Sequence, residues 1–526
     1  MNINQKNTVC LMLYNHPYFV AFWLGMAKVG ISTSLLNTSV TGKPLLHSVR
    51  VSTNNSEKKI VVIDSDLWPS LQSEIMELEK DGVICINWEE LCHTVSSLPI
   101  SRPPRSSRNS VKDSDPLLYV FTSGTTGLPK AAKISSTRFL MATIPARVMT
   151  YMQPGERMYC CLPLYHSAGG ILAAGGTLLS GATLVLRRKF SVRNFTSDCL
   201  KYRCTSIQYI GELCRFLLNA PVNPDDSKLH IKYALGNGLR ADVWEPFRKR
   251  YNIGRIIELY SATESNIGMA NSSGKVGSVG CIPRAADIFY PVRLIRVDPV
   301  HKDVPLRDPV TGRCVLVDVN EPGLVVGLIN NKSALSRFEG YSDHNATGNK
   351  ILRGVFSDGD TYFNSGDLLR RDWFGFYYWV DRVGDTFRWK GENVASTEVE
   401  HVLSEVSFVS DVVVYGVPVP GCEGKAGMAA IALKDSTMIP TASDWRHFHD
   451  VCCAHLAPYA RPVFIRIQNS MALTSTFKHK KTVLVEDGFD PRKVRDNLFY
   501  YSHRDGTVCS LDLQMYERIA SGSTHL

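Results

Sequence analysis

The run Tyr119-Val-Phe-Thr-Ser-Gly-Thr-Thr-Gly-Leu-Pro-Lys130 concentrates groups that bind anions. An apolar stretch, Leu117–Phe121, reads as a strand. It leads into four hydroxyl residues (Thr122, Ser123, Thr125, Thr126), two glycines (Gly124, Gly127) and Lys130. Glycine lets backbone amides approach an anion, and Ser/Thr hydroxyls donate to phosphate oxygens. Lys130 adds a point charge. The spacing from Gly124 to Lys130 is not that of a Walker A loop, and Ala131, not Ser or Thr, follows the lysine. On residue types alone, a phosphate-binding turn and an ordinary Ser/Gly turn are both open. The 14 cysteines are scattered, with adjacent pairs at Cys160-Cys161 and Cys452-Cys453 and no CxxC, so metal-site spacing is absent.

Such a loop needs elements to hold it. Tyr18–Val29 carries apolar residues at helical spacing, and Lys59–Ile63 reads as a buried strand. This alternation continues to about residue 380 and predicts an α/β fold with a largely parallel sheet. Residues 97–115 are rich in Ser, Pro and Arg and read as an exposed linker or disordered loop. After residue 380 the texture changes. A charged segment, Asp381–Lys390, precedes a helix over Ser396–Leu403, a strand over Val412–Val417 and a helix over Ser443–Leu456 with Ser443 as its N-cap. From Lys478 the chain reads as basic and polar. The expected architecture is a large multi-layer N-terminal domain, 1–381, and a small mobile α+β domain, 382–526.

Apolar residues are 44% of the chain and charged residues 21%, which excludes disorder and fibrous folds for the bulk. The net charge of +9 suits anionic small molecules or an anionic membrane surface, and no nucleic-acid partner is expected. No signal peptide opens the chain, scattered thiols fit a reducing compartment, and the N-x-S/T sequons read as chance matches. Ala168–Leu186 is an uncharged run of 19 residues, near a membrane span in length. Its five glycines and β-like end favour a buried helix and a buried strand separated by Gly181.

FTSGTTGLPK resembles the phosphate-loop signature of the adenylate-forming superfamily, and later motifs follow in that superfamily's order. Pro163-Leu-Tyr-His166 resembles its acyl-pocket motif, Gly236-Asn-Gly-Leu-Arg240 its adenine loop, and Tyr260-Ser-Ala-Thr-Glu264 its YGxTE motif. Asn364-Ser-Gly-Asp367 resembles its ribose motif, Asp381-Arg382 and Lys390–Val394 its hinge and the segment after it, and Thr474–Lys478 the site of its C-terminal lysine. Residues 362–400, ending in DWFGFYYWVDRVGDTFRWKGENVASTEVE, are similar to the signature of the fatty acid transport proteins, also called very-long-chain acyl-CoA synthetases. FWLGMAKVGISTSLLNTSVTGKPLLHS near the start and LDLQMYERIASG near the end agree.

What the resemblance implies is chemically coherent. Residues 119–130 would hold the triphosphate of ATP. Gly236, Asn237, Gly238 and Tyr260 would hold adenine, with Tyr260 stacking on the base or simply packing in the core, and Thr263 would contact the nucleotide. Asp367 can accept both ribose hydroxyls, helped by Arg382, or serve only as a turn residue. Glu264 can hold Mg²⁺ or be a solvated loop acid. His166 is either a satisfied core histidine or a gate of the acyl pocket. Lys478 is either part of a solvated basic cluster or a catalytic lysine that offsets charge at the carboxylate and α-phosphate.

The implied activity is long- or very-long-chain fatty acid–CoA ligation, with ATP/AMP, Mg²⁺ and coenzyme A as nucleotide, metal and acyl acceptor, through an acyl-AMP intermediate. The alternatives are a membrane-associated uptake protein with weak or lost ligase activity, and acyl transfer to a carrier protein. The resemblance further implies association with the endoplasmic reticulum or plasma membrane, a cytosolic catalytic part and a homo-oligomer. The family's N-terminal portion with its anchoring segment has no counterpart before Met1, so the chain is expected to be a fragment, an alternative product or an incomplete gene model. Ser261 and Ser475 stand where the family has glycine, and Gly384 falls at the hinge.

Overall fold

The computed structural model describes residues 3–122, 128–287, 289–290, 292–298, 304–383, 385, 387–389, 392–420, 422, 424–469, 471 and 481–524. The chain divides into two units. The first comprises Met1–Arg293, Val326–Ser365 and Asp372–Tyr377; the second comprises Leu294–Val325, Gly366–Arg371 and Tyr378–Leu526.

Two six-stranded sheets organise the first unit. In one, the order is Val83–Asn87, Lys59–Ile63, Thr8–Met12, Ser32–Leu35, Pro116–Thr122 and Lys130–Ser135. All neighbours are parallel except the last pair. In the other, the order is Gly268–Asn271, Ile253–Ser261, Ile231–Asn237, Ser206–Ile210, Arg157–Cys160 and Thr183–Leu186, again parallel except for the edge strand Gly268–Asn271. Parallel strands are covered on both faces and so read as continuous apolar runs. Lys59–Ile63 is such a run, and Val61 and Val62 are fully buried in opposite cores.

The helix predicted from Tyr18 spans Pro17–Lys28, with proline at its first position and the His16 ring accepting from the Tyr18 amide. The uncharged run is a helical pair, Ser167–Ala173 and Ala174–Ser180, ended by Gly181 at φ +63° and followed by the strand Thr183–Leu186. That strand is half-buried at the sheet edge. No described helix is long and apolar enough to cross a membrane.

The second unit holds a five-stranded sheet in the order Val409–Pro418, Lys425–Leu433, Phe464–Gln468, Asn497–Ser502, Thr507–Ser510. Both faces are packed. Val412 and Val414 point into a core with Trp445 and Phe448, while Val413, Tyr415 and Val417 point into another with Phe464 and Phe489. The Phe464 and Phe489 rings stack at 4.1 Å. The helix Ser396–Leu403 falls where the sequence places it. The next, Ala442–His455, is capped by Thr441 and not by Ser443. The Thr441 hydroxyl accepts from the Asp444 amide, and the Thr441 amide donates to the Asp444 carboxylate at 2.7 Å. Asp444, three residues on, closes this reciprocal pair for Thr441 alone.

Candidate active site

In the first unit the strands Pro116–Thr122 and Lys130–Ser135 run antiparallel on either side of residues 123–127. Thr122 pairs with Lys130 across the hairpin, Tyr119 with Lys133, and the Lys130 ammonium lies 5.8 Å from the Tyr341 ring. Tyr119 is half-buried, and burial raises its phenol pKa. Ser123, Gly124, Thr125, Thr126 and Gly127 lie outside the described residues, as do Gly384, Lys390, Ser475 and Lys478.

The turn Gly236-Asn237-Gly238 closes the strand Ile231–Asn237, and Gly238 has φ +78°. A Cβ on Gly236 would lie 2.3 Å from the Tyr209 carbonyl oxygen, and one on Gly211 1.7 Å from that of Gly238. Only glycine permits these approaches. Glu258, fully buried on the neighbouring strand, underlies the turn. Its carboxyl accepts from the Leu239 amide at 3.1 Å, from the Gly238 amide and from the Tyr209 hydroxyl. Burial pushes Glu258 up to about 8, while these three hydrogen bonds pull the other way.

Two residues beyond Glu258 on the same strand, Tyr260 is 8% exposed. Ser261 is a strand residue paired with Gly268, and its hydroxyl donates to the Ile267 carbonyl at 3.0 Å. The left-handed backbone that would have demanded glycine is not adopted there, so serine fits. Thr263 and Glu264 follow in a turn that Arg138 organises. The Arg138 guanidinium, from the helix Ser136–Thr150, donates to the carbonyls of Ala262, Thr263 and Ser265. Burial lowers its pKa, against the charges of Glu339, Glu264 and Tyr290. The Thr263 and Ser167 hydroxyls meet at 3.1 Å, which brings the segment after His166 onto this turn.

The Pro163–His166 segment is itself fixed from both sides. Buried Asn15 donates to the Leu162 carbonyl at 2.9 Å and accepts from the Leu164 amide at 2.9 Å. Gly169 and Gly170 pack against the carbonyls of Pro163 and Leu164, where a Cβ would come within 2.5 and 2.1 Å. The His166 ring lies 4.6 Å from that of Tyr165.

In the second unit, Asp367 is 3% exposed, and the Arg382 Nε donates to its carboxylate at 3.1 Å. The Val383 amide donates to the Gly366 carbonyl at 2.8 Å, so backbone and side chain together fix this pair. Asp381, 1% exposed, accepts from the Ser396 amide at 2.9 Å. Lys481 donates to Ser396 Oγ at 2.9 Å and pairs with Glu400 at 2.9 Å and Asp385 at 3.8 Å. Burial works to lower the Lys481 pKa, but the carboxylates of Glu400, Asp385 and Asp381 outweigh it and the net direction is up.

Glu258, Arg138 and Asn15 escape a reading by motif. Glu258 carried one signal: an acid inside the apolar strand run Ile256-Ile-Glu-Leu-Tyr260.

Two family models match the chain. The AMP-binding enzyme family matches residues 1–314, and the AMP-binding enzyme C-terminal domain matches residues 398–478. The chain is 42% identical to long-chain fatty acid transport protein 1 of Bos taurus, over 98% of this chain and 80% of the relative. It is 40% identical to long-chain fatty acid transport protein 2 of Rattus norvegicus, over 99% and 83%. Among solved structures it resembles ATP-bound MatB from Rhodopseudomonas palustris, with a TM-score of 0.74 at 20% identity over 92% of this chain and 89% of that one. A Mycobacterium tuberculosis fatty acyl CoA synthetase gives 0.62 at 21%, over 92% and 88%. At these identities the structural likeness shows the adenylate-forming fold alone.

Proposed function

The chain belongs to the AMP-binding enzyme family, among the long-chain fatty acid transport proteins, and from that premise we propose that it is an AMP-forming ligase of long- or very-long-chain fatty acids. A fatty carboxylate attacks the α-phosphorus of ATP to give acyl-AMP and pyrophosphate. The CoA thiolate then attacks the acyl carbon, and AMP leaves. No side-chain nucleophile is needed, because the phosphate leaving group activates the acyl carbon. The protein contributes positioning and electrostatics.

In this reading residues 119–130 hold the triphosphate, the Gly236–Gly238 turn with Tyr260 holds adenine, Thr263 contacts the nucleotide, and Asp367 with Arg382 holds ribose. His166 lines the acyl entrance, and Lys478 offsets charge during adenylation. Glu264 would hold Mg²⁺, which would supply neutralising charge to the phosphate oxygens. A half-buried carboxylate is an oxygen donor of the kind this hard cation takes. The large domain would span 1–381 and the small one 382–526, with a turn of the small domain between half-reactions. Membrane association is part of the proposal, in keeping with a lipid substrate.

The observation that supports this reading is the 3.1 Å contact between the Ser167 and Thr263 hydroxyls, which joins the chain segments that carry His166 and Glu264. The test is fatty-acid-dependent ATP–pyrophosphate exchange. Exchange in the parent chain that is lost in Lys478→Ala supports ligation, and the change is expected to exceed about 100-fold, as for loss of one preorganised electrostatic donor. Absence of exchange in a folded, ATP-binding parent refutes ligation and leaves the uptake reading. Product formation with a carrier protein but not with free CoA would make the acceptor a carrier.

A further inference from the structure

Glu258 is a fully buried acid that the ligase reading leaves without a task. It sits on the strand Ile253–Ser261, in register with Gly236 on the parallel neighbour Ile231–Asn237. One carboxyl oxygen accepts from the Leu239 amide at 3.1 Å, the Gly238 amide also donates to the carboxyl, and the Tyr209 hydroxyl donates to the second oxygen. The turn is thus held from below by side-chain hydrogen bonds and from the side by Gly211, which touches the Gly238 carbonyl.

We propose that Glu258 is a positioning residue for the nucleotide, clamping the Gly236–Leu239 turn in the shape that receives the base. The inference rests on the nucleotide reading of that turn. The titratable groups facing Glu258 are Tyr209 on the strand Ser206–Ile210 and Cys214 on the helix Gly211–Asn219. Both are driven towards their neutral forms by burial. Burial pushes the Glu258 carboxyl up to about 8. At neutral pH the carboxyl therefore carries a proton. That proton can go to the Tyr209 oxygen, with the Tyr209 hydroxyl turning to the Ile257 carbonyl 3.5 Å away. The other carboxyl oxygen still accepts from the Leu239 amide. Ionisation at higher pH leaves a desolvated charge beneath the turn and loosens it.

Glutamine reproduces the protonated form, with its amide nitrogen donating to Tyr209 and its oxygen accepting from the turn. Alanine leaves two amides and a phenol without their acceptor. The experiment measures Mg-ATP affinity by calorimetry at pH 7 and pH 9, and the KM for ATP and for fatty acid in pyrophosphate exchange, on the full chain. Glu258→Ala is expected to weaken ATP by about tenfold or more, while the fatty-acid KM stays within about twofold, the scale of lost buried hydrogen bonds. Glu258→Gln is expected to match the parent at pH 7 and to keep its affinity at pH 9, where the parent weakens. Unchanged ATP affinity in a folded Glu258→Ala, equal loss for both substrates, or identical pH profiles of parent and Glu258→Gln would overturn the assignment. If Glu258→Ala does not fold, the pH comparison of parent and Glu258→Gln decides. A parent that binds no ATP overturns the nucleotide reading itself, before any variant is made.

Discussion

Replacing Lys481 by methionine keeps the length and apolar body of the side chain and deletes its charge. The side chain is 21% exposed, and its ammonium donates to Glu400 and to Ser396, each at 2.9 Å. Loss of the Ser396 bond costs little, because that hydroxyl also reaches Asp381 at 3.4 Å. Loss of the Glu400 bond matters more. Glu400 is 17% exposed and keeps the Val414 amide at 2.9 Å as a donor. A charged, largely buried hydrogen bond contributes about 1.5–3 kcal/mol, and removing one partner of a buried pair costs about 3–5. Residual exposure argues for the lower part, about 2–3 kcal/mol. That is about 30- to 150-fold in the opening equilibrium of the helix Ser396–Leu403. Hydrogen exchange of those amides reads this local opening, which a global melt of a two-unit chain does not. Glu400→Gln in the same cycle should recover about 1.5 kcal/mol as coupling. Protection unchanged within about 0.5 kcal/mol, or no coupling, would refute the reasoning, since a surface ion pair behaves that way.

Asp367→Ala should raise the KM for ATP by about 10- to 100-fold and leave fatty-acid binding near the parent value, the scale of one charge-assisted hydrogen bond; calorimetry with AMP checks it. Gly211→Ala should abolish ATP binding or fold poorly, because its Cβ would lie 1.7 Å from the Gly238 carbonyl oxygen; thermal unfolding with and without nucleotide separates the two outcomes. Glu258 has a folded pKa of about 8 against an ordinary 4.5, so its stabilising share is complete below pH 4.5 and is lost as pH rises through about 8. Glu258→Gln should therefore flatten the decline in urea midpoint between about pH 5 and pH 8.

The parts of the fold that showed in the sequence were those whose cause is local. Lys59–Ile63 is apolar at every position that a two-faced strand buries, and its bounds agree with the reading. The helix Ser396–Leu403 and the exposed stretch after residue 97 were legible for the same reason. The cap at Thr441 was misplaced because two hydroxyl residues stand two apart, and only the partner Asp444 distinguishes them. The region beyond Lys478 reads as basic and polar, with no strand evident, yet it forms the strands Asn497–Ser502 and Thr507–Ser510 and the helix Leu513–Ala520. Its edge strand is mostly exposed and gives no apolar run to see. In the site, motif residues were visible, whereas the residues that hold them were not. Arg138 meets the Ala262–Ser265 turn from more than 120 positions away, and the register of Glu258 with Gly236 is set by sheet pairing, which no single strand displays.

The sheet of the second unit, packed on both faces, has a consequence for how substitution is tolerated along it. From Val412 to Val417 each residue is buried, alternately in one core or the other, and even Gly416 has Phe387 where a Cβ would come, at 2.5 Å. A strand with one wet face forgives changes at every second position. This one should forgive none, so a scan of substitutions would draw an unbroken intolerant block across it. The edge strand Thr507–Ser510, exposed at three of its four positions, should accept polar residues nearly throughout. The contrast would appear in protein abundance rather than in catalytic rate, because neither strand carries a residue of the proposed site.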